Sequence, residues 1–193
     1  MFFPTDILRA ALHCVAGDDE PREYLKGVYI TRLFIKATDG RALVTMVHGA
    51  VTDIDGVFRV HGDIPTDAEG TEIMVINDQW VAAHYFDDGR PAGHNELEVI
   101  EGEYPDFDKL LPDEPEPCDE LPMFSAKLLA LPYLMFGSNF GPVKFKPYGK
   151  TGPCVLLLDP MTEHLYGSPL LVIMPLRDNA FELCAEVLNE EGI

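Results

Sequence analysis

Apolar positions follow a helical period at the start of the chain and then switch to alternation. In "TDILRAALHCVAG", residues 5–17, Leu8, Ala11, Leu12 and Val15 recur at i, i+3, i+4 and i+7, which predicts a short helix. Thr5 is placed to cap it and Gly17 to end it. Three strand-like runs follow: "YLKGVYIT", "RLFIKAT" and "RALVTMVHG". The last alternates Ala42, Val44 and Met46, the period of a half-buried strand, and "TDG" at 38–40 predicts a tight turn before it. Between 57 and 103 the runs "VFRVHG", "EIMVIN", "WVAAHYF" and "ELEVIEG" predict more strands, with no helix among them.

The pattern then breaks. "DEPEPCDELP", 113–122, holds prolines and acids and predicts a linker. Beyond it, "SAKLLALPYLMF" predicts a helix with Ser125 as cap and Pro132 as a kink or early stop. "PVKFKPY", "CVLLLD" and "PLLVIMPLR" predict three strands. The tail "DNAFELCAEVLNEEGI" predicts an amphipathic helix, with Asn179 and Glu182 as a capping-box-like pair and Phe181, Cys184, Val187 and Leu188 on one face. A unit of one helix plus three strands thus occurs twice, with further strands between. Local hairpins dominate and no βαβ alternation is present. The expected class is α+β, with mainly antiparallel sheet and a few short helices. The expected division is 1–115 and 116–193.

Composition narrows the possible functions. The 193 residues, 47% of them hydrophobic, suffice for a real core. The 14 Lys and Arg stand against 33 Asp and Glu, a formal net charge of −19. A surface of that sign repels phosphate, so the whole molecule is no simple nucleic-acid binder. Cys14, Cys118, Cys154 and Cys184 form no CxxC pair and are expected as reduced thiols. "MFFPTDILRA" lacks a signal peptide's basic start, and "LLALPYLMF" is too short to span a bilayer, so a soluble cytoplasmic protein is expected, without membrane contact. "YGKTG" at 148–152 lacks the first glycine of a phosphate loop, the position being Lys144, and it sits between strands. The histidines are scattered and no serine sits in a GxSxG elbow. No enzyme, metal or cofactor is expected.

"EGEYPDFDKLLP", 101–112, admits two readings: a turn closing a strand into the core, or one wall of a recognition surface. Three segments in order bear on the choice. "REYLKGVYIT" through "FIKATDGRALVTMV" resembles the "YLNG…ATDGHRLA" strand–turn–strand of the bacterial sliding clamp, the β subunit of the replicative DNA polymerase. "EGEYPDFDKLLP" resembles that family's "DGRFPDYRRVLP", and "PLLVIMPLR" its C-terminal "YVVMPMR". The resemblance covers roughly residues 5–50 and 97–177.

The resemblance implies a DNA-clamp-like fold of about one and a half clamp domains. Residues 1–115 would be a clamp-like domain without its second helix, and 116–193 half a domain plus a C-terminal helix. It also implies a peptide groove for clamp-binding motifs. That groove would use Leu25, Thr38, Gly40, Arg41, Leu43, Pro105, Lys109, Leu110, Val172, Met174, Pro175, Leu176 and Arg177. Arg9, Arg22, Lys26 and Lys127 would face double-stranded DNA. The implied function is that of a polymerase processivity factor or replication platform, of reduced size as in a phage or mobile element. Four copies would close a ring. The alternative is an interaction protein that keeps the groove and binds clamp partners, or the host clamp, without encircling DNA.

Overall fold

Alternating side chains commit each central strand to two faces, and one continuous sheet results. The computed structural model describes residues 1–191 apart from 113, 117, 119 and 138–140, with the backbone alone for 188–191. Among these, eleven strands form a single antiparallel sheet. They are β1 (Phe2–Pro4), β2 (Val28–Ile30), β3 (Phe34–Thr38), β4 (Ala42–Val47), β5 (Gly56–Val60), β6 (Gly70–Ile76), β7 (Gln79–Tyr85), β8 (Pro91–Ile100), β9 (Lys144–Pro147), β10 (Cys154–Leu157) and β11 (Leu170–Ile173). Their order across the sheet is β1-β6-β7-β8-β5-β2-β3-β4-β11-β10-β9. The two three-strand meanders, β2–β4 and β9–β11, therefore meet through their last strands, with Leu43 opposite Val172.

Helices cover one face: α1 (Thr5–Leu12), α2 (Ala126–Leu129), α3 (Leu131–Phe136) and α4 (Pro160–Leu165). Ile7, Leu8, Leu128, Leu131 and Met135 from three of them share a core with Ile35, Val44, Met46, Leu156, Leu171 and Ile173 of the sheet. The intervening residues Leu43, Val155 and Val172 point to the opposite face, where they meet Phe107 and Tyr148 in a second, smaller core. Strands β4, β10 and β11 are thus buried on both faces, and this locates the candidate site.

Several sequence expectations are refined. Thr5 is the first residue of α1 and Pro4 its cap, because the Thr5 hydroxyl is engaged at 2.9 Å by Thr71. The helix ends at Leu12, and single-turn bonds from Cys14 and Val15 carry the apolar stripe onward, so Gly17 does not end it. "YLKG" is a 3-10 turn, Glu23–Lys26, before β2. A Cβ on Gly27 would lie 2.7 Å from the Phe58 carbonyl oxygen, so only glycine permits that approach of β2 to β5. The expected single helix is broken at Ala130, as Pro132 predicts, and Pro132 itself lies in the first turn of α3, where its missing N–H costs nothing. Ser125 stands at the α2 cap position without a side-chain cap bond. Strand β8 begins five residues before the predicted run. Its polar Asn95 is buried and bonded to His84, which hides the strand from an apolar count.

Helix α4 was not expected, although Asp159 caps it through Met161 and Thr162 and Pro160 opens it. The tail is helical as α5 (Ala180–Glu191). Phe181, Cys184 and Val187 are exposed, and the side chain of Leu188 lies outside the described residues. The predicted linker lies partly outside the described residues; its described positions contain no helix or strand. No described helix is long and apolar enough to cross a membrane, and no group of three potential metal ligands occurs among the described residues.

Candidate functional site

The "TDG" turn organises one end of the site through its own side chains. Asp39 accepts from the main-chain N–H of Arg41 and Ala42 at 2.8 and 2.7 Å. Thr38 donates to the Ala42 carbonyl at 2.6 Å and accepts from Gly40 N–H at 3.1 Å. Gly40 sits at φ 83°, a left-handed conformation that glycine adopts without strain. The turn is fastened to the other half of the sheet by a 2.7 Å bond from Met174 N–H to the Arg41 carbonyl.

On the face away from the helices, the register lays Thr38, Leu43, Val172 and Val155 side by side across four strands. Segment 101–112 folds over this row. Phe107 opens a 3-10 turn, Phe107–Lys109, capped by Asp106, and its ring is 3% exposed in the second core. Tyr104 packs 5.8 Å from it and 4.9 Å from Tyr29, and burial pushes the Tyr104 phenol pKa up. The segment is therefore an anchored loop, with Pro105, Leu110 and Leu111 left facing a cavity.

That cavity has a volume of about 340 Å³ and is mainly apolar. Nine residues predicted from sequence line it: Leu25, Thr38, Gly40, Arg41, Leu43, Pro105, Leu110, Val172 and Met174. Met174 is 39% exposed at its rim. Four predicted residues do not line it. Lys109 points away and pairs with Asp106 at 2.9 Å. Leu176 bonds through its N–H to the Met123 carbonyl, and Pro175 and Arg177 follow Met174 past the end of β11. Four lining residues were not among those predicted for it: Arg22, Ala42, Leu111 and Pro153. Leu111 and Ala42 adjoin predicted residues, whereas Pro153 enters only because β10 packs beside β11.

The residues expected to face DNA are differently placed. Arg22 belongs to the cavity, its Nη2 3.0 Å from where a Gly40 Cβ would be. Arg9 pairs with Asp6 at 2.7 Å and donates to the carbonyls of Pro65 and Thr66. Lys26 is held by Glu23 and the Asp18 carbonyl. Lys127 has no ion pair among the described residues and lies in α2. Helices α1 to α4 carry only Asp6, Arg9, Lys127 and Glu163 as charged groups, His164 aside, so the helical face is close to neutral and the acidic excess lies elsewhere.

No protein-family model and no curated protein matches the chain. Solved structures do. The DNA polymerase III β chain of Streptococcus pneumoniae matches with a TM-score of 0.58 at 17% identity, over 92% of this chain and 64% of that one. A putative DNA polymerase III β subunit from Eubacterium rectale gives 0.57 at 12%, over 92% and 65%. The β subunit of Borrelia burgdorferi, solved with a natural product, gives 0.56 at 13%, over 92% and 64%. At such identities the likeness concerns the fold. One antiparallel sheet backed by short helices on a single face is, in this chain, the fold of the bacterial DNA polymerase III sliding clamp, over about 64% of the length of those structures.

Proposed function

We propose that this protein is a non-enzymatic platform of DNA replication whose cavity receives a short apolar peptide from a polymerase or another clamp-binding protein. The reading rests on one observation. Three segments far apart in sequence, around Leu43, Leu110 and Val172, converge on one preformed apolar cavity. Such a cavity suits a Leu or Phe side chain, and Met174 gives it an adaptable rim. The action is tethering: a partner held by its peptide is kept at a high effective concentration where the platform sits. If the platform is a processivity factor, copies of the chain form a ring on DNA, with four as the expected number.

A peptide ending in Leu-Phe should bind with affinity on the order of micromolar, as a small apolar anchor on a preformed surface does. Met174→Glu should cost at least ~2 kcal/mol of that binding, because the cavity offers its carboxylate little solvation. Calorimetry on both proteins, with circular dichroism as a check on folding, tests this. Absence of binding by the wild type would overturn the reading.

The charges favour a second reading, a groove-bearing protein that does not encircle DNA. Arg9, Arg22 and Lys26 are already bound to acids and carbonyls, and of the four expected at DNA Lys127 alone has no ion pair among the described residues. So few cations release few counterions. Light scattering and DNA binding separate the two. A mass several times that of the monomer, with salt-sensitive binding lost in Arg9→Glu/Lys127→Glu, supports the ring; a monomer without DNA affinity supports the second reading.

A further inference from the structure

Arg22 enters the cavity already paired. Its main-chain N–H and Nε meet Glu20 Oε1 at 3.2 and 2.6 Å, and its Nη2 meets Oε2 at 3.1 Å. This two-pronged geometry fixes the guanidinium plane as well as its position. Glu20 is itself held, with its N–H on the Gly17 carbonyl and its side chain only 18% exposed. Arg22 is 49% exposed, and its Nη2 rests on the Gly40 turn. Glu20 does not line the cavity; it stands behind the arginine that does. The hydrogen bonds from Arg22 lower the Glu20 pKa, so its charge is retained through the neutral range.

This arrangement separates two properties that an arginine usually brings together. The side chain has five N–H groups, and Glu20 takes two, so donors remain for a ligand. The positive charge, however, is offset by a carboxylate in direct contact. A ligand carboxylate reaching those donors would meet Glu20 at short range, whereas a neutral oxygen would not. Selectivity is a difference of affinities, and a repelling group behind an attracting one is a way to create it. Arg41, on the same turn, has no ion pair among the described residues, so the two arginines differ in kind.

We propose that Glu20 sets the polar specificity of the cavity. By neutralising Arg22, it makes that end a receptor for an uncharged oxygen, such as a main-chain carbonyl or a carboxamide, in preference to a carboxylate. The assignment rests on the reading of the cavity as a peptide site. It makes Glu20 a positioning residue that touches no ligand.

The test uses the full chain and two blocked pentapeptides ending in Leu-Phe, one with Asn and the other with Asp at its first position. Binding is measured by calorimetry at low and high salt for wild type, Glu20→Gln and Glu20→Asp. Wild type should favour the Asn peptide, and Glu20→Gln should shift the Asn-to-Asp ratio toward Asp by about fivefold or more at low salt, as charge pairs at an interface do. High salt should shrink that shift, and Glu20→Asp should restore the wild-type preference. A ratio unchanged within a factor of about two in Glu20→Gln, with at least one peptide bound, overturns the role of Glu20 and leaves the peptide site standing. Binding of neither peptide by any of the three proteins overturns the peptide site, and this proposal with it.

Discussion

Removing the ring of Phe107 should release one wall of the cavity. The ring is 3% exposed and packs on Leu43, Tyr148, Val155 and Val172, with Lys36 Nζ 5.7 Å from its centre. A Phe→Ala change in a core costs about 3–5 kcal/mol. The second core is small and lies near the surface, so water can refill the space, which argues for the lower end, about 3 kcal/mol. The Lys36 contact adds at most about 1 kcal/mol. Phe107 is the only residue of 101–112 buried below a tenth of its surface, so the loss should fall mainly on that segment.

Hydrogen exchange reads the effect directly. The amides of Lys109 and Leu110 are closed by bonds to the carbonyls of Asp106 and Phe107, at 3.2 and 3.1 Å. A local loss of about 3 kcal/mol should speed their exchange roughly a hundredfold. Amides of β4 and β11 should change far less. The Leu-Phe peptide should lose affinity at the same time, because Pro105 and Leu110 are no longer held over Leu43 and Val172. Phe107→Leu keeps most of the volume and should cost less than about 1.5 kcal/mol. Normal exchange across 101–112 in Phe107→Ala, with unchanged peptide affinity, would refute the anchoring role.

His84 should make stability fall in mild acid. It is buried between Thr71 at 2.9 Å and Asn95 at 2.7 Å, and burial lowers its pKa from 6.5. The unfolded chain therefore takes up a proton first, and stability present above pH 6.5 is lost as pH falls toward the lowered value. Acid also relieves the repulsion of the −19 charge, so the readout is the difference between wild type and His84→Asn, whose denaturant midpoint should vary less between pH 7 and 5.5; equal slopes would exclude His84. Deleting 179–193 should leave peptide affinity unchanged within about twofold, because Phe181 is 78% exposed and Val187 53% exposed, as a helix lying over the cavity would not allow. A rise in affinity would mean that the tail covers the site.

The strands were legible because their faces are chemically distinct. Ala42, Val44 and Met46 alternate toward the helices, and the "TDG" turn follows from the bonding habits of Thr, Asp and Gly. The segments that line the cavity were singled out through resemblance, since Leu43 and Val172 by themselves read as ordinary strand residues. What stayed hidden depended on tertiary partners. Arg22 reads as a surface cation until Glu20 and Gly40 are seen to hold it at the cavity. Thr5 reads as a cap until Thr71 claims its hydroxyl. Asn95 falls just outside the predicted run "ELEVIEG", and its place in the strand shows only once His84 is found bonded to it inside the sheet. Helix α4 had its signal in Asp159-Pro160, but six residues are too few to establish a period.

The pairing of Leu43 with Val172 also has a consequence for the timing of synthesis. The cavity floor joins residues made early to residues made later, because β4 has β3 on one side and β11 on the other. A growing chain that has not yet released residue 173 presents β4 as an open edge, with Leu43 uncovered, which is where a chaperone would act or aggregation would begin. The cavity is therefore complete only after β11 has paired with β4. Products that stop before β11 keep Leu43, Pro105 and Leu110 but lack the wall that Val172 and Met174 supply.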